Sequence, residues 1–262
     1  MNCGKEQQKR QFLIWALISG IMAIGVFAFV FLSSEDIVYS DYIRLVNEYL
    51  PDVLDVRKLL VPDILTRTPV AFFFRIVNVS LFHYSVTFDR VLNVVFLLAA
   101  SLILLWYGKK EKLSPWFFAP LLLLLYSLSK AEMLINGTGY PHFLAYVFFY
   151  LHFFLIDRIY QNTGSKKDIV WLCVIPWVTI LLMAGPYCAV YVVTVLVLYF
   201  FLFREKPEIG KKDRFLLVFC ILAPFFLYMA SNYFAVEETP GMSDVGLWEA
   251  LEADPGYVVR FL

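Results

Sequence analysis

The chain has 262 residues, 61% of them hydrophobic and only 17% charged, whereas an ordinary soluble domain is about 45–50% apolar and about 25% charged. Mean hydropathy is +0.71, and 22 Lys and Arg balance 22 Asp and Glu. These values exclude a water-soluble globule, a disordered tail and a nucleic-acid binder, and leave the placement of charge as the informative quantity.

The cysteines, Cys3, Cys173, Cys188 and Cys220, show no paired spacing and no CxxC, so neither a disulfide framework nor a zinc site is expected. Three of them lie in apolar runs, where cysteine acts as a small hydrophobe.

A bilayer core about 30 Å thick needs roughly 20 apolar residues per helix. Residues 12–32 form such a run without a charge. It is too long for a signal-peptide core and no small-residue cleavage site follows, so it reads as a membrane anchor. Further runs lie at 88–107, 113–128, 141–156, 169–184, 187–203 and 215–229. Residues 169–203 would make one helix about 52 Å long, too long for a single crossing. Gly185-Pro186 divides them, since a Gly-Pro pair favours a turn. The expectation is an all-α polytopic membrane protein with about seven spans in a single domain. Five or six follow if a short run lies on the membrane instead.

Charge asymmetry orients the spans. With a cytoplasmic N-terminus, the inner segments are 1–11, 108–112, 157–168 and 204–214. They hold 14 cations against seven acids, and every one of them is locally basic. The other side holds eight cations and 15 acids. The chain is therefore expected in the plasma membrane with an extracytoplasmic tail, 230–262.

The first outer loop, 33–87, is the longest, and long loops in compact proteins carry function. Ser40 can cap a helix from Asp41, with Ile43, Val46 and Leu50 on one face until Pro51 interrupts. A second short amphipathic piece carries Asp52, Asp55, Arg57 and Lys58. Pro69 opens a third, running over 70–82 through Phe72-Phe73-Phe74, with Arg75 and Asn78 on one polar stripe. Such helices lie in the interface plane or pack against the outer ends of the spans. The second outer loop contains Ser129-Lys130-Ala131-Glu132 and the turn-forming Asn136-Gly137-Thr138-Gly139-Tyr140-Pro141-His142. The tail is acidic, as a solvated face would be.

The spans are nearly free of charge. An ion pump or ion-coupled transporter would place acids deeper. Polar groups gather instead at the outer face. Glu35, Asp36 and Asp41 follow the first span; Glu132 and His142 enter from the second loop; Arg67, Arg75, Arg90 and Lys130 supply positive charge. Asp89, Arg90 and Asn93 sit at the mouth of the second span. Arginine binds phosphate through paired donors, a carboxylate can take a proton from an attacking hydroxyl, and a second carboxylate or imidazole can help hold a divalent metal. The set suits an anionic lipid phosphate with a sugar above it.

Each residue also has a plainer reading. Glu35 and Asp36 can end a helix in water, and Asp41 can serve the helix dipole. Arg67 and Arg75 can anchor headgroups; Glu132 can pair with Lys130. His142 can be an ordinary interfacial imidazole, and His83 and His152 read as structural. Asn78-Val79-Ser80 and Asn136-Gly137-Thr138 match the glycosylation sequon, a short pattern frequent by chance.

The layout resembles the GT-C superfamily of membrane glycosyltransferases, which use lipid-linked sugars: one span, an acidic residue just beyond it, and a long outer loop of interfacial helices. Glu35-Asp36, then Tyr39-Ser40-Asp41-Tyr42, stand where that family has its acidic signal. Arg67-Thr68-Pro69 resembles its polar-then-proline step, and Glu132 occupies the loop of a second acid.

The resemblance implies sugar transfer from a polyprenyl-phosphate carrier to an envelope glycan or lipid acceptor. Asp41 would be the base, with Glu35 and Asp36 as close competitors, and Glu132 a second catalytic acid, with Arg67, Arg75, Arg90, Lys130, Tyr42 and His142 binding substrate. No strict DxD or WWD signature is present, so metal dependence gains no support. Residues 248–262 read as the start of another amphipathic segment in which the chain stops. Family members are commonly longer, so an N-terminal fragment is expected. The rival readings are a non-catalytic lipid-glycan transporter or polymerase partner, and an inactive truncated product.

Overall fold

The computed structural model describes residues 2–33, 53–55, 69–111, 113–136, 139–182 and 185–236. Among these the regular structure is helical, with no strand. The helices are α1 (Asn2–Ser33), α2 (Pro69–Phe82), α3 (Val86–Lys110), α4 (Phe118–Leu125), α5 (Ala131–Asn136), α6 (Tyr140–Tyr160), α7 (Lys166–Ile180), α8 (Gly185–Glu205) and α9 (Lys211–Val236). Among the described residues, six helical segments are long and apolar enough to cross a membrane: Lys9–Ser33, Val86–Lys110, Phe118–Asn136, Tyr140–Tyr160, Tyr187–Glu205 and Lys211–Ala230. α7, with 15 residues, rises about 22 Å, short of the roughly 30 Å apolar core of a bilayer.

Local chemistry fixes the helix ends. Ser85 caps α3 by accepting from the Phe88 N–H, Asp89 lies in its first turn and Lys109 and Lys110 in its last, matching the helix dipole at both ends. α7 starts where the Ser165 N–H and hydroxyl both donate to Asp168, at 2.6 and 3.0 Å. Gly185-Pro186 opens α8 rather than lying between two helices; proline fits a first turn because its missing N–H is not needed there.

The third apolar run departs most from expectation. The sequence suggests one span over 113–128. Instead a 3-10 turn at Pro115–Phe117 precedes α4, the helix stops at Leu125, and a second 3-10 turn, Leu128–Lys130, leads into α5. Lys130 Nζ donates to the Leu124 carbonyl at 3.0 Å, so its ammonium caps the end of α4. The polar stretch expected as a loop thus continues the helical segment, which runs over Phe118–Asn136.

Two hydrophobic cores share the bundle. In one, Val26 and Val30 of α1 pack with Val94 and Leu97 of α3, Leu122 of α4, Leu134 of α5 and Phe143 of α6. In the other, Phe154, Leu172, Ile175, Val195, Tyr199 and Ile221 join α6, α7, α8 and α9. The α3–α6 contact links them. Gly108 allows that first core to close: a side chain there would overlap the Phe118 ring.

Two sets of hydroxyl and imidazole groups inside the bundle satisfy one another. Ser19 (α1), Ser101 (α3) and Tyr126 form a triangle of hydrogen bonds at 2.5, 2.9 and 2.9 Å. His152, fully buried, has one ring nitrogen on the Tyr191 hydroxyl and the other on Tyr199. Such pairing is what permits polar groups at this depth.

Candidate functional site

The N-terminal ends of α3, α6 and α8 and the C-terminal ends of α1 and α5 meet at one end of the bundle, where α2 also packs. The C-terminal end of α1, just before residue 34, lies here. Sequence polarity concentrated on this end, and the structure shows how the groups are used.

α2 begins at Pro69 as its sequence suggests. Its Arg75–Asn78 stripe turns inward rather than toward headgroups. Arg75 Nη1 donates to Asp89 Oδ2 at 2.5 Å, with both side chains almost fully buried, and its guanidinium lies 5.5 Å from the Tyr140 ring centroid. Asn78 Nδ2 donates to Asp89 Oδ1 at 3.2 Å and to the Ser85 carbonyl at 3.0 Å, while its Oδ1 accepts from the Ser85 N–H at 2.8 Å. These bonds hold a turn in which His83 and Tyr84 have φ of 52° and 64°. Non-glycine residues in that left-handed region each cost about 1–2 kcal/mol, so Asn78 stabilises a strained α2–α3 link.

The next turn of α3 serves α5. The last carbonyls of a helix have no partner within it. Here Arg90 Nε donates to Ile135 O at 2.8 Å, and Asn93 Nδ2 donates to Met133 O and Leu134 O at 3.1 and 3.0 Å. Arg90, 2% exposed, is thereby a capping residue for a helix 45 positions away. Gly139 brings α5 and α6 together: a Cβ there would come within 2.9 Å of the Met133 backbone oxygen and the Phe143 ring.

Among the described residues, Asn93 Oδ1, Asn136 Oδ1 and His142 Nδ1, all toward this end, are buried without a hydrogen-bond partner. They belong to α3, α5 and α6. A buried acceptor left unmet costs about 1–3 kcal/mol, so such a grouping marks where an incoming donor gains most. His142 lines a small cavity of about 20 Å³ with Met133, Ala145, Tyr146, Phe149 and Tyr187, roughly the space of one water. The His142 and Tyr187 ring centroids are 5.5 Å apart.

The predicted site residues divide accordingly. Arg75, Arg90 and Lys130 are engaged with partners inside the protein, and His142 faces the small cavity. Glu132 is exposed in the first turn of α5, and Lys130 bonds the α4 carbonyl rather than Glu132. Asp41, Tyr42 and Arg67, with Glu35 and Asp36, lie outside the described residues. Both sequon asparagines, Asn78 and Asn136, are buried, which disfavours their modification in the folded chain. Tyr187 was not singled out from sequence; the available signal was an aromatic directly after a Gly-Pro helix start. Among the described residues no group of three His, Cys, Asp or Glu could hold a metal ion.

No family model, curated protein or solved structure matches the chain.

Proposed function

We propose that the chain is an integral membrane glycosyltransferase that moves a sugar from a polyprenyl-phosphate carrier to an envelope glycan or lipid on the extracytoplasmic side. The observation that carries this reading is the set of unmet buried atoms, Asn93 Oδ1, Asn136 Oδ1 and His142 Nδ1. Of these, His142 stands beside Tyr187 and Tyr146. Sugar hydroxyls are donors suited to such acceptors, and aromatic rings offer apolar faces beside them.

In this proposal seven helices span the membrane, α7 included as a short one, with a cytoplasmic N-terminus and the acceptor-rich end outside. Asp41 is the general base and takes the proton of the attacking acceptor hydroxyl. Arg67 meets the carrier phosphate. Arg75 and Arg90 hold α2 and α5 in place around the mouth, through Asp89 and the Ile135 carbonyl. Glu132 and Tyr42 orient the acceptor at the rim. Attack opposite the leaving phosphate inverts the anomeric centre.

The test is a sugar analysis of the cell envelope in a parent strain, a deletion strain, and the deletion complemented with wild type, Asp41→Asn or Asn136→Leu at equal abundance. Loss of one sugar on deletion, restored by wild type but by neither variant, supports the proposal. Full restoration by Asp41→Asn points to a non-catalytic partner of lipid-linked glycans. An unchanged envelope in every strain removes the glycan reading.

A further inference from the structure

The opposite, basic end of the bundle carries a cleft of about 310 Å³, at the lower edge of the roughly 300–1,000 Å³ typical of ligand sites. It lies between the α6–α7 and α8–α9 connections. Its rim carries Lys166 and Lys206, and its walls carry Ile159, Ile169 and Ile209. One acid, Glu208, shares the rim.

Both connections are fixed in shape. In the first, the Thr163 hydroxyl donates to Arg158 O at 3.1 Å, Arg158 Nη2 donates back to Thr163 O at 3.3 Å, and the Ser165–Asp168 bonds close the turn. Gly164 lies against Ile159 so closely that a Cβ would come within 2.8 Å of its side chain. In the second, Arg214 donates to the carbonyls of Lys206, Pro207 and Ile209 at 3.2, 2.9 and 2.9 Å. The two are joined across the cleft: Lys206 Nζ donates to Asn162 Oδ1 at 2.8 Å, and Asn162 presents that oxygen from a left-handed backbone, φ 58°. Lysine has three donors, so one is used in positioning and two are left for a ligand.

We propose that this cleft binds the phosphate headgroup of an anionic membrane phospholipid, with Lys166 and Lys206 on the phosphate and the isoleucines against the glycerol and upper acyl chain. Basic clefts between transmembrane helices at the cytoplasmic edge have the form of anionic-lipid sites. The flanking cations Lys167, Lys211 and Lys212 add long-range attraction. A free phosphate ion would use the lysines alone; the apolar walls argue for an amphiphile. The inference is independent of the glycosyltransferase reading, because it concerns the other end of the bundle.

The test uses the purified full chain in a neutral detergent, titrated with phosphatidylglycerol or phosphatidylcholine and read by native mass spectrometry. The expected result is selective retention of phosphatidylglycerol. Lys166→Ala and Lys206→Ala should each weaken it about fivefold, the effect of one cation at an anionic surface. Lys109→Ala/Lys110→Ala, two charges removed at the same end but outside the cleft, should leave it unchanged. Glu208→Lys removes an acid from an exposed position and should tighten binding severalfold, which keeps the test decisive if an alanine variant fails to fold. Equal retention of phosphatidylcholine, equal weakening by the Lys109/Lys110 variant, no effect of Glu208→Lys, or displacement of the lipid by inorganic phosphate would each overturn the proposal.

Discussion

Replacing Asp89 by alanine should destabilise the folded bundle by about 3–5 kcal/mol, the usual consequence of removing one partner of a buried ion pair. The structure selects this figure over the roughly 0–1 kcal/mol of an exposed pair. The Asp89 side chain is 0% exposed and that of Arg75 4%, so the variant removes a fully buried carboxylate from a buried guanidinium. Asn78 loses one of its two Nδ2 acceptors but keeps the Ser85 carbonyl, so the added cost there is small. The double variant Arg75→Met/Asp89→Leu should cost less than the sum of Arg75→Met and Asp89→Leu made singly, because each single change leaves the other charge without this partner. Equilibrium unfolding in detergent, followed by far-ultraviolet circular dichroism, measures Asp89→Ala, the double variant and its two single components. A loss below about 1 kcal/mol for Asp89→Ala, or strict additivity in the double variant, would refute the claim that a buried, coupled pair joins α2 to α3.

Three further expectations follow from packing and topology. Gly108→Ala should lower stability by about 1–3 kcal/mol by overpacking against Phe118, whereas Gly20→Ala and Gly25→Ala, with open space beside them on α1, should be neutral or stabilising by up to about 1 kcal/mol; thermal midpoints in detergent distinguish the sites. Ser101→Ala should cost only about 0.6–1.7 kcal/mol, the range for hydrogen bonds between membrane helices, because Ser19 and Tyr126 retain each other; a cost near that of Asp89→Ala would contradict this. In a cysteine-free background, Gly137→Cys should react with an impermeant maleimide on intact cells and Thr163→Cys only after permeabilisation; the reverse pattern would invert the proposed orientation.

Much of the scaffold was readable because its causes are local. A charge-free run at 12–32, the basic residues closing the run at 88–107, and Pro69 ahead of an apolar helix each act within a turn or two. What could not be read depends on partners distant in sequence. The stripe of Arg75 and Asn78 was visible, but its inward orientation depends on Asp89, 14 residues from Arg75. The roles of Arg90 and Asn93 depend on carbonyls 40 or more positions away, which no periodicity reveals. Lys130 looked like part of a solvated loop because its neighbours are polar; its bond to Leu124 makes that stretch a continuation of the helix. Three of the arginine and lysine side chains assigned from sequence to substrate therefore have structural partners. Asn93 and Asn136, given no substrate role from sequence, and His142, a substrate candidate there, retain the unmet atoms.

The most direct test of the central claim is release of polyprenyl phosphate by the purified, reconstituted chain. It should be supplied with a panel of polyprenyl-phosphate-linked sugars and envelope glycan acceptors. The account predicts release with at least one donor, coupled to sugar transfer. It predicts no release above background from Asp41→Asn, and reduced transfer from Asn136→Leu with helix content unchanged. Release of equal size from Asp41→Asn, or none from the wild-type chain with any donor, would contradict it.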